Sequence, residues 1–397
     1  MTERGLPLRV AYVLLREPGY SETFIRSEIA AVRAAGAEVA VFHARGPQRS
    51  PRAEAADVLR TLARHPVRLS RQVGLLGASY GARALLAGAY ANTLTGPVRA
   101  FAPDVVHTHF VNLPTAVAVL VADRLGVPAT AFAHAADFLL DDAPAALDRR
   151  VSALAHLFVV SAAAQRQLRA KGVGLSRVPH SIVRAAFDGT IGDGATGTDE
   201  VPRPQTGALR VITIARLIEK KGIDTALAAV ERLAAAGHPV RYDLYGDGPQ
   251  AEGLRRTVAA SPALSAAVTL HGATPHAGAM RALAAADLAV LPCRPAANGD
   301  VDGIPVFLME AARCGVPVVT TSVSGIPELV DAGSGWLVPP GDAVALAAAI
   351  AGAAAEPAEA RRRAAALRER IRAEFAPGLQ AARLLGVWRA LGAHGAP

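Results

Sequence analysis

Short apolar runs of strand length alternate with helix-length segments along almost the whole chain, and that alternation leaves few folds open. Strands joined by helices return to the same sheet end and pair in parallel, with helices on both faces. In the first half, strands are predicted at residues 8–14, 39–42, 105–108, 129–133 and 157–160. A second series is predicted at 211–215, 242–245, 268–270, 288–291, 318–320 and 336–338. Between the two, residues 188–207 are rich in Gly, Thr, Asp and Pro and lack apolar periodicity, the composition of a linker. The expected fold class is therefore α/β, with two doubly wound parallel-sheet domains at 1–187 and 208–375. A tail rich in Arg, Ala and Leu, 357–391, reads as helical.

A chain of 397 residues has ample length for two cores. With 51% apolar and 19% charged residues it falls among globular rather than disordered chains. Its longest uncharged small-residue run, 343–355, is shorter than the roughly 20 residues of a membrane-spanning helix. The apolar run 10–15 is flanked by Arg9 and Arg16, too short for a signal peptide, and reads as the first strand. Cys293 and Cys314 lack metal or redox spacing, so a reduced, cytoplasmic setting is expected. The net charge of +8 owes much to nine arginines from Arg45 to Arg99, opposed by Glu54 and Asp57. Interleaved with Leu75, Leu76, Tyr80, Leu85 and Tyr90, they suit either a solvated basic face or contact with anionic lipid. No nucleic-acid-binding pattern accompanies them, and no nucleic-acid partner is expected.

The residues 302–310, Asp-Gly-Ile-Pro-Val-Phe-Leu-Met-Glu, place two carboxylates around one helix start. Gly303 permits close backbone approach, Pro305 suits the first helical position, and Ile304 and Val306 lead into the helix. Unpaired N–H groups and the helix dipole attract an anion there, phosphate above all. Glu310, on an otherwise apolar segment, calls for donors such as paired sugar hydroxyls. Upstream, the strand 211–215 runs into Arg216-Leu-Ile-Glu-Lys-Lys221-Gly222. That puts Arg216 and Lys221 at the carboxyl end of a strand, where open α/β sheets bind ligands, and a fork plus a point charge suits a diphosphate. Lysine occurs only at 171, 220 and 221, so the pair at 220 and 221 stands out; Lys220 is the reserve.

Together these segments resemble the retaining family-four glycosyltransferases, whose acid-x7-acid motif is matched with Asp302 in place of the usual Glu. The resemblance implies the GT-B architecture, two Rossmann-like domains, with a last helix, 376–397 and its Leu385-Gly-Val-Trp388 region, crossing back to the first. It implies that Asp302 contacts the donor sugar, Glu310 the ribose, and Arg216 and Lys221 the phosphates. Gly246-Asp247-Gly248-Pro249 matches the family's G-x-G-P turn, whose small residues admit the nucleotide, and His271-Gly272 its segment near the base. Ser324-Gly-Ile-Pro-Glu328 matches G-G-x-P-E with Ser at the first Gly and is read as structural. In the first domain, Ala133-His134-Ala-Ala-Asp137 matches A-H-x-x-D, which implies His134 against the donor sugar. Ser21, His109 and Asp137 are assigned to the acceptor side.

His107-Thr-His109-Phe110 could suggest a metal, yet no third donor stands close in sequence, and the family's H-x-H-F occurs without one. Asp300-Val-Asp302 mimics a metal-diphosphate motif but abuts a helix start. No metal and no cofactor are expected. Ser21-Glu-Thr-Phe24 with 105–110 and 298–303 resembles the branch that builds bacterial exopolysaccharide, including colanic-acid-type enzymes. The region of Pro179-His180-Ser181 departs from the family's N-G-[VI]-D. The resulting expectation is a retaining, metal-independent hexosyltransferase. Its donor would be a UDP- or GDP-linked nucleoside-diphosphate sugar and its acceptor a lipid-linked or oligosaccharide chain, on the inner face of the membrane. The rival reading is a non-catalytic basic protein that binds polysaccharide or a membrane surface on the same scaffold. A pyridoxal-phosphate phosphorylase is disfavoured, since no Lys follows 221.

Overall fold

The computed structural model describes residues 7–18, 22–45, 76, 80–140, 143–185, 187 and 207–393. Ser21, most of the basic stretch 45–99 and nearly all of the linker 188–207 lie outside the described residues. The chain divides into two compact units, Met1–Ala186 with Phe375–Pro397, and Phe187–Glu374.

The first unit holds six strands, β1 (Arg9–Leu14), β2 (Glu38–His43), β3 (Val105–His109), β4 (Ala129–Ala133), β5 (His156–Val159) and β6 (His180–Ile182). They pair in the order β2-β1-β3-β4-β5-β6, all parallel. Helices α1 (Thr23–Ala34), α2 (Ala82–Phe101), α3 (Leu113–Leu125), α4 (Ala135–Leu139), α5 (Pro144–Ser152) and α6 (Ala162–Ala170) accompany them. Every residue of β3 and β4 is buried, as befits parallel strands covered on both faces. β6 is an addition to the strands predicted from sequence. It is an edge strand of three half-buried residues with no apolar run to betray it.

The second unit holds β7 (Leu209–Ile214), β8 (Val240–Tyr245), β9 (Val268–Gly272), β10 (Leu288–Leu291), β11 (Val318–Thr321) and β12 (Trp336–Val338). Their order is β12-β11-β10-β7-β8-β9, again parallel throughout. Its helices are α7 (Ile223–Ala235), α8 (Ala251–Ala260), α9 (Pro262–Ala267), α10 (His276–Ala285), α11 (Val306–Arg313), α12 (Ile326–Leu329), α13 (Ala343–Ala355) and α14 (Pro357–Glu374). The helical tail divides before Pro377, close to the expected start of the last helix at 376, and α15 (Pro377–Ala393) belongs to the first unit. There Trp388 is fully buried, and its indole N–H donates to Thr130 Oγ1 at 3.0 Å. Among the described residues no single helix is long and apolar enough to cross a membrane.

Both sheets reverse direction of growth at one point, between β1 and β3 in the first and between β7 and β10 in the second. Loops leaving the two strands at such a switch diverge to opposite faces and open a crevice at the carboxyl edge. In the second unit, Gly222 closes the loop after β7 with a left-handed φ of +64°, and a β-carbon there would overlap the Pro292 carbonyl just after β10. Gly222→Ala is therefore expected to lower stability by about 2–4 kcal/mol, from left-handed strain plus a displaced carbonyl. Denaturant unfolding would show it; a loss under about 0.5 kcal/mol would mean the two loops do not meet as described.

Candidate active site

The loops after β7 and β10 are stitched together by backbone and charge. The Arg294 N–H donates to the Lys220 carbonyl at 3.0 Å. Lys221 Nζ lies 2.7 Å from Asp302 Oδ2, and Lys220 Nζ lies 2.9 Å from Asp300 Oδ2 and 3.4 Å from Asp302 Oδ1. The Cys293 thiol donates to Asp302 Oδ2 at 3.2 Å. Burial opposes the charge on Lys221, but Asp302 outweighs it and the ammonium's pKa is raised. Burial likewise pushes Asp302 up, and the charges of Lys221 and Lys220 overcome it, so the carboxyl stays below its ordinary range. Burial, reinforced by the charge of Asp302, raises the Cys293 thiol well above its ordinary value and keeps it protonated.

This geometry revises the expectation of a bare positive pocket. Two ammonium groups face two carboxylates, so the quartet is neutral as it stands. Arg216 is exposed and makes no ion pair among the described residues. It is not joined to Lys221 through any carboxylate. The helix start is also displaced by one position. Pro305 is extended, with φ −67° and ψ 129°, and Val306 is the first residue of α11. Gly303 and Ile304 form the partly exposed turn before it. The N–H groups of Val306 and Phe307 precede any intrahelical acceptor, whereas that of Leu308 donates to the Pro305 carbonyl at 3.2 Å.

Glu310 projects from α11, and its Oε1 lies 3.0 Å from His276 Nε2 at the start of α10. Sequence reasoning missed His276. Its hydrogen bond to Glu310 raises its pKa, so the pair carries a proton more readily than a free imidazole. His271, at the end of β9, stacks on Tyr245 with centroids 4.1 Å apart and planes 2° from parallel, while its Nε2 meets Asp243 Oδ1 at 2.6 Å. The glycines of the turn after β8 are also required by the fold itself. A β-carbon on Gly246 or Gly248 would strike the carbonyl of Ala215 or Leu217 in the neighbouring loop. Their smallness serves packing between the protein's own loops. Asp247 pins the same turn, its carboxylate accepting from Gly248 N–H and its carbonyl from Leu217 N–H. Ser324, standing where the motif has Gly, adopts a left-handed φ of +49°, which explains why glycine suits that position.

In the first unit, His134 follows β4 and caps α4, and Asp137 in the same turn accepts from the N–H groups of His134 at 2.9 Å and Val111 at 2.5 Å. Asp137 is 6% exposed and both its oxygens are engaged, so it shapes the loops instead of facing an acceptor. Burial raises its pKa, against the donors Val111 and His134. His109 is likewise buried, at 1% exposure, and cannot meet an acceptor directly. Its Nδ1 lies 3.1 Å from His134 Nε2, and its Nε2 lies 3.1 Å from Oε1 of Glu28 on α1. Burial lowers the pKa of His134 well below the imidazole range and that of His107 as well.

Glu28 was also missed, although its spacing could have revealed it: Ile25, Glu28, Ile29 and Val32 form one buried helical face. It changes the argument against a metal at His107 and His109. That argument rested on the lack of a third donor near in sequence, whereas the fold supplies one. The ligand atoms of Glu28, His107 and His109 all lie within 4.8 Å of one another.

Comparison with known proteins matches residues 208–356 to the family model described as Glycosyl transferases group 1, and residues 21–181 to the one described as Glycosyltransferase Family 4. The putative colanic acid biosynthesis glycosyltransferase WcaL of Salmonella typhimurium is 46% identical over 144 residues, 36% of this chain and 35% of that protein. The amylovoran biosynthesis glycosyltransferase AmsK of Erwinia amylovora is 45% identical over 141 residues, 35% of this chain and 34% of its own length. The match thus spans little more than a third of these relatives. A glycogen synthase of Mycobacterium tuberculosis is 30% identical over 294 residues, 70% of this chain and 67% of that protein. Among solved structures, a sucrose-phosphate synthase from Thermosynechococcus elongatus aligns with TM-score 0.73 at 19% identity, covering 98% of this chain and 100% of the other. Anabaena Alr3699/HepE in complex with UDP aligns with TM-score 0.71 at 18% identity, over 96% and 100%. At such identities the likeness shows the fold alone.

Proposed function

Because the chain belongs to glycosyltransferase family 4 and has the GT-B fold, we propose that it moves a hexosyl group, with retention, from a nucleoside-diphosphate sugar to a lipid-linked or oligosaccharide acceptor in exopolysaccharide synthesis. The likeness to WcaL and AmsK, glycosyltransferases of colanic acid and amylovoran biosynthesis, supports the pathway class. The observation that carries the donor assignment is the Lys221–Asp302 contact at the switch point between β7 and β10. A lysine kept charged in a partly buried site is prepared for a diphosphate, and the exposed Arg216, earlier in the same loop, is the second cation. In the same reading the Val306 and Phe307 amides at the start of α11 are further donors to the developing charge.

In this reading the sugar C1–phosphate oxygen bond breaks as the acceptor oxygen bonds to C1 on the same face. The leaving phosphate oxygen takes the acceptor's proton, so no protein nucleophile is required. Asp302 contacts the donor sugar, and Glu310, after releasing His276, takes the ribose hydroxyls; for His134 the resemblance to the family is the support for a role in transfer. Lys221 and Arg216 perform the charge neutralisation that a metal provides elsewhere, so chelator should leave transfer unchanged.

The test is a thermal-shift series with UDP, GDP and ADP on the whole chain. At least one should raise the melting temperature, with stabilisation of about 2.7 kcal/mol when the nucleotide stands at 100 times its Kd. Arg216→Ala should blunt that shift without moving the melting temperature of the free protein. Indifference to all three nucleotides at millimolar concentration would refute a donor site here.

A further inference from the structure

Four polar side chains from three places in the fold meet beside the switch-point strands of the first sheet: Glu28 of α1, His107 and His109 of β3, and His134 after β4. Tyr12 of β1 joins them, its hydroxyl donating to Glu28 Oε1 at 2.8 Å. The reading of transfer above uses His134 alone. A buried carboxylate is retained only where donors satisfy it, and here the nearest are the Tyr12 hydroxyl and His109 Nε2.

Burial raises the pKa of Glu28, and the facing His109 and His107 lower it below the ordinary value. Independently of that, Oε1 accepts from the Tyr12 hydroxyl at 2.8 Å, so His109 Nε2, 3.1 Å from the same oxygen, carries a hydrogen. In a neutral ring the other nitrogen, Nδ1, is then an acceptor. The atom facing it at 3.1 Å is His134 Nε2, which must donate. Rings fix the geometry on every side. His109 lies near-parallel to Phe132 at 5.3 Å and to His134 at 5.4 Å, and His134 is flanked by Phe24 at 4.8 Å and Phe110 at 4.9 Å.

We infer that Glu28, acting through His109, is a positioning residue that locks His134 as the Nε2–H tautomer and leaves its Nδ1 an acceptor. In the capping turn of α4 the His134 side chain accepts from the Asp137 backbone N–H, which occupies that Nδ1 lone pair and favours the same tautomer. The role of His134 in transfer rests on the reading above; the tautomer itself does not. His107 stands beside the relay. Its Nδ1 is 2.8 Å from Thr130 Oγ1, and its Nε2, 3.5 Å from Glu28 Oε1, is too distant for a good hydrogen bond. The same donor set is the one a divalent ion would use, but a metal would need the Nε2 lone pair of His109, which the relay fills with hydrogen.

The test is nitrogen-15 NMR of the imidazole rings in the whole chain at about pH 8, above the ordinary imidazole range. His109→Gln and His134→Gln assign the signals. The wild type should show His134 as a single Nε2–H tautomer and His109 protonated at Nε2 only. Glu28→Leu removes the acceptor, and His109→Phe keeps the stack on Phe132 if the first variant folds poorly. Either should mix the tautomers of His134 and reduce kcat roughly tenfold or more, with the donor KM within about twofold. A wild-type His134 protonated at Nδ1, a His109 protonated on both nitrogens, unmoved tautomers in both variants, or a stoichiometric metal in the purified protein would each overturn the relay. Tautomers that mix while kcat stays unchanged would instead sink the role of His134 in transfer and leave the relay standing.

Discussion

Lys221→Ala is expected to lower kcat/KM by about 10²–10³-fold, the usual loss when a preorganised charge is removed from a developing anion. The same variant should lose about 2–3 kcal/mol of stability. Removing one partner of a buried ion pair typically costs roughly 3–5 kcal/mol. Lys220, already 3.4 Å from Asp302, recovers part of it. The pH dependence follows from both partners. Asp302 is depressed, so its contribution is present above the unfolded carboxylate value of about 3.9 and is lost as pH falls through the lower folded value. Lys221 is raised, so its contribution is present below about 10.4 and is lost as pH rises through the higher folded value. The stability gap between wild type and variant should thus be flat from about pH 4 to 10 and narrow beyond both ends. Urea unfolding across pH measures the gap, and donor turnover measures the rate. A variant with full activity would remove the diphosphate role from Lys221.

Trp388→Ala should cost about 3–5 kcal/mol, the range for emptying a fully buried aromatic site. Its ring meets Tyr12 at 6.3 Å, His107 at 5.1 Å and Phe158 at 6.2 Å, and its N–H satisfies Thr130. The loss therefore opens a cavity beside the Glu28 cluster and frees α15, whose Leu384 and Leu385 are also buried in the first unit. Trp388→Phe keeps most of the packing and forfeits the hydrogen bond, at about 1 kcal/mol. Denaturant unfolding should rank the two variants in that order, and protease should cleave α15 faster in the alanine form. An alanine variant within about 1 kcal/mol of wild type would show that α15 is not docked through this residue.

Much of this molecule was legible because fully buried parallel strands must be apolar throughout. The runs at 105–108, 129–133 and 288–291 have few alternatives. β6 escaped because an edge strand of three half-buried residues carries no such obligation. The break between α14 and α15 falls where the last helix was expected to begin, and Pro377 at its start suits a first helical position. Lys221 and Asp302 could be picked out separately as charges beside strand and helix ends, and their meeting followed from strand order, which composition does not encode.

The amino-acid sequence by itself determined the two series of strands, the switch-point loops and the family, since these depend on local periodicity and on motifs of contiguous residues. Only the tertiary structure decided what each polar group is paired with. It neutralised the two lysines with Asp300 and Asp302, gave Glu310 to His276, and buried His109 and Asp137 away from any acceptor. It also brought Glu28 to two histidines some eighty residues away. Pairing and burial are set by which elements pack over a side chain, and that depends on contacts between segments far apart in the chain.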